Sequence, residues 1–316
     1  MAITYREFIN AFRALELNPE QPVIAHASLR AFGEVRGGAD AVVGALLTCC
    51  RTVIMPTFTY KTMIIPEVGP EDNGLEYGSG RDANKMAEFY QADMPADRMM
   101  GAVAEALRRH PRARRSSHPI LSFAGVGAED ILMTQTLAEP LAPIGALLER
   151  GGAVLLLGVD HSVDTSIHFA ERLAGRRTFV RWALTEDGIV ECPGFPGCSD
   201  GFGAVAPQVE AFTRRIEAGQ SVVEVIPLAD LVRTVVRLLV EDPLALLCSR
   251  KSCPRCNAVR AEVSRRPQGM ASDRTIRVRA PDDKTIPIPS ADDKTMRITA
   301  PDDKTIPITK NKPNQP

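Results

Sequence analysis

The segment Thr165-Ser166-Ile167-His168-Phe169-Ala170-Glu171 combines residue types that can move a proton. A spacing of three puts Thr165, His168 and Glu171 on one face of a helix, so the Glu171 carboxylate can reach the His168 ring. A carboxylate beside an imidazole fixes its tautomer and favours its charged form, which is the equipment of a general base. The same spacing also suits an ordinary surface pair.

Two further segments could grip an anion. His26-Ala27-Ser28-Leu29-Arg30 follows a short apolar run and leads through Gly33 to the pair Gly37-Gly38, which opens a helical stretch. Bare amides at a helix N-terminus bind phosphate through donor geometry and dipole together, so a pyrophosphate-bearing cofactor would suit this loop. A hydrogen-bonded loop histidine with two turn glycines is the plainer alternative. Arg114-Arg115-Ser116-Ser117-His118-Pro119 offers two guanidinium groups and hydroxyls for a phosphate, or else a solvated basic turn.

Acidic and sulfur-bearing residues supply the remaining candidates. Asp72 and Glu76 lie in an acidic, irregular loop that could meet a cationic substrate. Cys248, Cys253 and Cys256 form C-x4-C-x2-C, three of the four ligands of a structural zinc site, with Cys192 or Cys198 as the fourth. Free thiols are the alternative.

These residues must be positioned by a core. Tyr5, Phe8, Ile9, Phe12 and Leu15 recur at helical spacing after a Thr4 cap. Val23-Ile24-Ala25, a helix over Ala39 to Thr48, and Val53-Ile54-Met55 compose a βαβ unit, which implies parallel pairing. Residues 60–100 read as a long loop, Gly101 to Arg109 as a helix and Ile120 to Ala124 as a strand. Leu141 to Glu149 reads as a helix and Ala153 to Val159 as a buried strand. Three more helices are expected, over Ser166 to Leu173, Pro207 to Ala218 and Leu228 to Val240. The fold class is α/β, a layered fold with a mainly parallel central sheet flanked by helices.

With 316 residues, 44% of them hydrophobic, the chain can bury one large core. Lys plus Arg number 38 against 39 Asp plus Glu, so there is no global field for nucleic acid or an anionic membrane. Apolar runs are too short to span a bilayer, and the N-terminus lacks a secretory pattern, so a cytoplasmic protein is expected. One ordered domain is expected over residues 1–263. Over 264–316 a ten-residue repeat appears, at Asp273-Arg274-Thr275-Ile276, Asp283-Lys284-Thr285-Ile286, Asp293-Lys294-Thr295-Met296 and Asp303-Lys304-Thr305-Ile306. Its few apolar side chains cannot offset an ordering entropy of about 1–2 kcal/mol per residue, so a disordered tail is expected.

Taken in series, several segments resemble the aminoglycoside 3-N-acetyltransferase family. They are His26-x-Ser28-Leu29-x3-Gly33-x-Val35-x-Gly37-Gly38, Met55-Pro56-Thr57-Phe58, Arg115-Ser116-x-His118-Pro119-x2-Ser122-Phe123, Leu155-Leu156-Leu157-Gly158-Val159 and Thr165-x2-His168-x2-Glu171. The likeness runs from about residue 5 to residue 245. It implies acetyl transfer from acetyl-CoA to the 3-amino group of an aminoglycoside's 2-deoxystreptamine ring, giving antibiotic resistance. It further implies His168 as base, Glu171 as its partner, and His26, Ser28, Leu29, Arg30, Gly33, Gly37, Gly38, Ser116, His118 and Phe123 around coenzyme A. Ala92 to Asp97 departs from the family's Phe-Asp-Pro-like stretch, which leaves the accepting amine open to another metabolite.

A serine hydrolase using Ser28 and His168 is a competing reading. No Gly-x-Ser-x-Gly elbow surrounds a serine to support it. The other large acetyltransferase architecture lacks its Arg/Gln-x-x-Gly-x-Gly/Ala turn here. The expected partners are a small-molecule amine and coenzyme A, with no nucleic acid and no membrane; oligomeric state, a homodimer included, is open.

Deleting residues 267–316 should leave the melting temperature and coenzyme A affinity unchanged, because the repeat has too little apolar surface to join a core. A fall of several degrees on thermal denaturation would show that the repeat is part of the fold.

Overall fold

The computed structural model describes residues 2–265; the repeat segment expected to be disordered lies outside the described residues apart from its first two positions, 264 and 265. Helix α1 (Tyr5–Ala14) begins with a capping box, in which Thr4 accepts from the Glu7 amide and Glu7 accepts from the Thr4 amide at 2.7 Å. Strand β1 (Val23–Ala27), helix α2 (Gly38–Cys49) and strand β2 (Val53–Pro56) follow as the expected βαβ unit, with Val23 opposite Val53 in parallel register. Between β2 and the next long helix the chain is mostly irregular, containing β3 (Met63–Ile64) and α3 (Arg81–Lys85).

After α4 (Gly101–Arg109) come β4 (Arg114–Arg115), β5 (Phe123–Val126), α5 (Glu129–Leu132), α6 (Ala142–Glu149) and β6 (Ala153–Leu157). The second half comprises α7 (Thr165–Leu173), the hairpin β7 (Phe179–Thr185) and β8 (Gly188–Phe195), and α8 (Ala206–Val209). It continues with the hairpin β9 (Arg214–Ala218) and β10 (Ser221–Pro227), α9 (Leu228–Glu241) and α10 (Pro254–Arg265).

The pleat of the central strands divides the core in two. Val23, Ala25, Val53, Met55, Leu155 and Leu157 face one buried cluster with α1, α2 and α4. Ile24, Ile54, Val154 and Leu156 face the other with α6, α7 and α9. Alternate side chains of a strand point to opposite faces, so continuous apolar strands require helices on both sides. The result is a three-layer α/β/α arrangement.

The central sheet is mixed rather than mainly parallel. Its order is β4-β5-β2-β1-β6-β10-β9, and only β2, β1 and β6 pair in parallel. The outer strands are antiparallel: short connections turn the chain straight back between β4 and β5 and between β9 and β10, while β5 and β10 return to the sheet beside β2 and β6 through long segments. The β9–β10 hairpin also corrects the helix expected over 207–218. Only the short α8 and a 3-10 turn at Glu210–Phe212 form there before β9, and Gly219 at φ +58° serves a two-residue hairpin turn instead of stopping a helix.

A second sheet, β3-β7-β8, was not legible in the sequence. It delivers Phe195 to the loop Pro196-Gly197-Cys198, which borders the cavity described next.

Candidate active site

The C-terminal ends of β1, β2 and β6 open into a cavity of about 670 Å³. Ligands of open α/β sheets bind at this end, where the flanking helices present their N-termini. His26, Ser28, Leu29 and Arg30 line the cavity from β1 and the turn after it. Thr165 and His168 line it from α7.

Helix α7 begins at Asp164, whose carboxylate accepts from the Ser166 amide at 2.9 Å. That carboxylate is buried between two imidazoles, with His26 Nε2 at 3.6 Å and His161 Nδ1 at 3.5 Å. Burial alone would raise the Asp164 pKa, but its contacts with His161 and His26 outweigh that and hold it below the usual carboxylate range. Burial pushes the His26 pKa down, partly opposed by Asp164.

One turn into α7, His168 Nδ1 lies 2.8 Å from Glu171 Oε2. The second Glu171 oxygen accepts from Arg176 Nη1 at 2.7 Å. Arg176 in turn donates to the carbonyls of Pro243 and Ala245, each at 2.7 Å. An ionised Glu171 therefore accepts from Nδ1–H, and the lone pair remains on Nε2. The ring is fixed on its flank by Phe202, edge-on with centroids 4.7 Å apart. A histidine so oriented beside a cavity can take a proton from a bound group.

The opposite wall contains residues that sequence reasoning missed. Asp97 caps the turn Arg98–Met100 through the Met99 amide, and its own amide donates to Phe58 O at 2.7 Å. Arg98 thus enters the cavity beside the N-terminus of α4. Gly101 stands at φ +83°, and a Cβ there would lie 3.1 Å from Ala27 O, so glycine allows this helix to approach β1 closely. Neither Arg30 nor Arg98 has a carboxylate partner among the described residues. Asp200 and Arg255 complete the wall near Pro196 and Gly197. Asp164 alone carried a local signal, as a capping residue before Thr165-Ser166.

Other expected site residues lie away from the cavity lining. Gly37 caps α2 in the left-handed region and Gly38 is its first residue. Gly33 also has positive φ, and a Cβ there would press on the Gln220 side chain. Ser116 Oγ accepts from the Phe123 amide at 2.9 Å, and His118 Nδ1 accepts from the amides of Ile120 and Leu121. These three hold a buried turn. Arg115, read as a phosphate ligand, is instead occupied by the carbonyls of Thr57, Ala92 and Met94 and by Ser122. Asp72 pairs with Arg265, and Glu76 is exposed on the loop; neither lines the cavity.

A sequence model of the family described as aminoglycoside 3-N-acetyltransferase matches residues 24–240. The chain belongs to the aminoglycoside 3-N-acetyltransferase family. Aminoglycoside N(3)-acetyltransferase III from a Salmonella species is 28% identical over 233 residues, covering 64% of this chain and 79% of that protein. Among solved structures, a variant of AAC(3)-IVa in complex with a gentamicin superposes with a TM-score of 0.66 at 24% identity, covering 83% of this chain and 98% of that one. AAC-IIIb binary with CoASH superposes with a TM-score of 0.62 at 21% identity, covering 76% and 97%. At these identities the two structures establish a shared fold.

In this family member the expected zinc ligands Cys248, Cys253 and Cys256 cluster with Cys198, all four sulfurs lying within 4.8 Å of one another. Cys192, the other candidate, packs in the apolar core instead.

Burial pushes the His118 pKa down to about 4. An unfolded histidine near pH 6.5 takes up its proton first, so acid favours the unfolded chain and stability falls as pH drops from about 6.5 towards 4. This one group accounts for on the order of 3 kcal/mol across that window. Urea midpoints measured over this range should fall less steeply for His118→Asn, which keeps an acceptor but does not titrate. Equal slopes would mean that folded His118 protonates freely.

Proposed function

We propose that this chain transfers the acetyl group of acetyl-CoA to the 3-amino group of the 2-deoxystreptamine ring of an aminoglycoside, and so confers antibiotic resistance. The observation that carries this reading is the Arg176–Glu171–His168 chain, which aims an oriented imidazole into the cavity. The family membership supports it independently. Acetyl-CoA is a cytoplasmic metabolite, and the reading therefore includes work in the cytoplasm.

A protonated amine has no lone pair to attack a thioester. The acceptor therefore reacts as its free base, after the ammonium proton has passed to solvent; His168 Nε2 accepts one of the remaining N–H protons as the amine nitrogen bonds to the acetyl carbonyl carbon, and Glu171 stabilises the imidazolium that forms. The tetrahedral oxyanion then collapses, the carbon–sulfur bond breaks, and the proton on His168 passes to the departing sulfur to give CoASH and the amide. Ser28, which lines the cavity, is the donor assigned to the oxyanion.

Arg30 and Arg98 are assigned to the coenzyme's phosphates, because they line the cavity without carboxylate partners. The N-terminus of α2 at Gly37-Gly38, on the loop that continues from Arg30 but outside the cavity lining, is assigned as a second phosphate donor. Asp200 is the carboxylate assigned to the cationic acceptor, in place of Asp72 and Glu76. A serine hydrolase is disfavoured because no hydrogen bond joins Ser28 to His168 among the described residues.

Thiol release from acetyl-CoA should occur with aminoglycosides bearing a 3-amino group and not with those lacking it. His168→Ala should lower kcat by roughly 10²–10⁴-fold while acetyl-CoA still binds. Glu171→Gln should lower kcat less. Activity of His168→Ala within about threefold of wild type, with chemistry limiting, would place the base elsewhere.

For the coenzyme, Arg98→Ala and Arg30→Ala should each weaken acetyl-CoA binding in calorimetric titration, since each removes a charged partner from a phosphate. Gly38→Val should weaken it as well if the α2 amides contribute. Unchanged affinity in both arginine variants would move the phosphates out of this cavity wall.

A further inference from the structure

We propose that Cys198, Cys248, Cys253 and Cys256 bind one structural zinc ion that clamps helix α10 to the wall of the active-site cavity. Their four sulfurs converge from two regions far apart in sequence and lie within 4.8 Å of one another. Tetrahedral thiolates about 2.3 Å from a zinc ion stand about 3.8 Å apart, so a small contraction completes the site. Cys253 precedes α10 and Cys256 sits in its first turn, a knuckle that aims both sulfurs to one side. Cys248 joins them from the preceding loop, and Cys198 from the loop after β8.

The surroundings suit a metal better than an apolar cluster. All four thiols are buried, yet among the described residues no other buried apolar side chain belongs to their cluster, and Leu247 is the one partly buried apolar residue packed against it. A core that needed filling would recruit aliphatic side chains. Binding would release four protons and leave a centre of charge −2. Arg250 lies where it can offset that charge, with Nη2 3.8 Å from Cys198 Sγ, and it also pairs with Asp200. Four soft thiolates with no open position describe a closed structural site, for which zinc is the usual occupant.

The clamp reaches the cavity through neighbours of the ligands. Arg255, between Cys253 and Cys256, lines the cavity and donates to Gly197 O at 2.7 Å. Cys198 lies between Gly197 and Asp200 on the same wall, and four residues on, Phe202 braces His168. Holding the sulfurs together therefore fixes the loop that orients the base.

The test uses the full chain purified without chelators. Elemental analysis should find about one zinc per chain, and cobalt substitution should give the thiolate-to-metal charge-transfer and visible bands of a tetrahedral four-sulfur site. Removing the ion with a strong chelator should lower the melting temperature, and zinc should restore it. Cys253→Ser should lose the zinc, while Cys49→Ser, outside the cluster, should keep it. Should Cys253→Ser fail to fold, the metal content and cobalt spectrum of the unmodified chain decide the matter. Metal-free protein in which these four cysteines are free thiols, disulfides among them detected by mass, or iron in place of zinc would each overturn the assignment. None of these readouts depends on acetyl transfer.

Discussion

A carboxylate placed under an imidazole in a nearly closed site is stable only if its second oxygen is also paired. Glu171 meets that requirement through Arg176, whose other terminal nitrogen, Nη2, donates to the carbonyls of Pro243 and Ala245. Breaking a buried pair of this kind leaves an uncompensated charge, so the three residues act as a unit. The orientation of His168 thus depends on the segment after α9 as well as on α7. The base is local in sequence, and its support is not.

The second constraint is the junction of β1, β6 and α7. Asp164 caps α7 with one oxygen and stands between His26 and His161. Because its carboxyl is held ionised by those neighbours, it ties the end of β1 to the start of α7. The cavity lies over this junction, which forms its floor. Its opposite wall is assembled from loops, namely the turn carrying Arg98 and the segment from Pro196 to Phe202. Specificity for an acceptor is more readily altered in such loops than in the sheet beneath them.

Mixed pairing gives the fold its economy. Three parallel strands suffice to create a ligand-binding end, and the antiparallel strands on both edges widen the sheet without further crossover helices. The small sheet β3-β7-β8 pairs with no strand of the central one, but it packs Phe179, Ala183, Cys192 and Phe195 into the same apolar core. It supplies the loop on which both Phe202 and Cys198 depend.

Local interactions were legible in the sequence itself. The Thr4–Glu7 box, the βαβ unit, the buried strand at Ala153 to Leu157 and the His168–Glu171 pair all rest on contacts within a few residues or on apolar periodicity. Tertiary structure decided the rest. Gly219 has the same positive φ at a helix stop and in a hairpin turn, and only pairing with β10 distinguished them. Arg115 carries the charge of a phosphate ligand, but burial beside three carbonyls consumed it. Cys192 and Cys198 were equal candidates by spacing. Alternation along β8 turned Cys192 into the core, while the chain leaving that strand brought Cys198 to the other three sulfurs. Local spacing encodes which groups can meet within one element; which elements meet depends on how the whole chain buries its apolar faces.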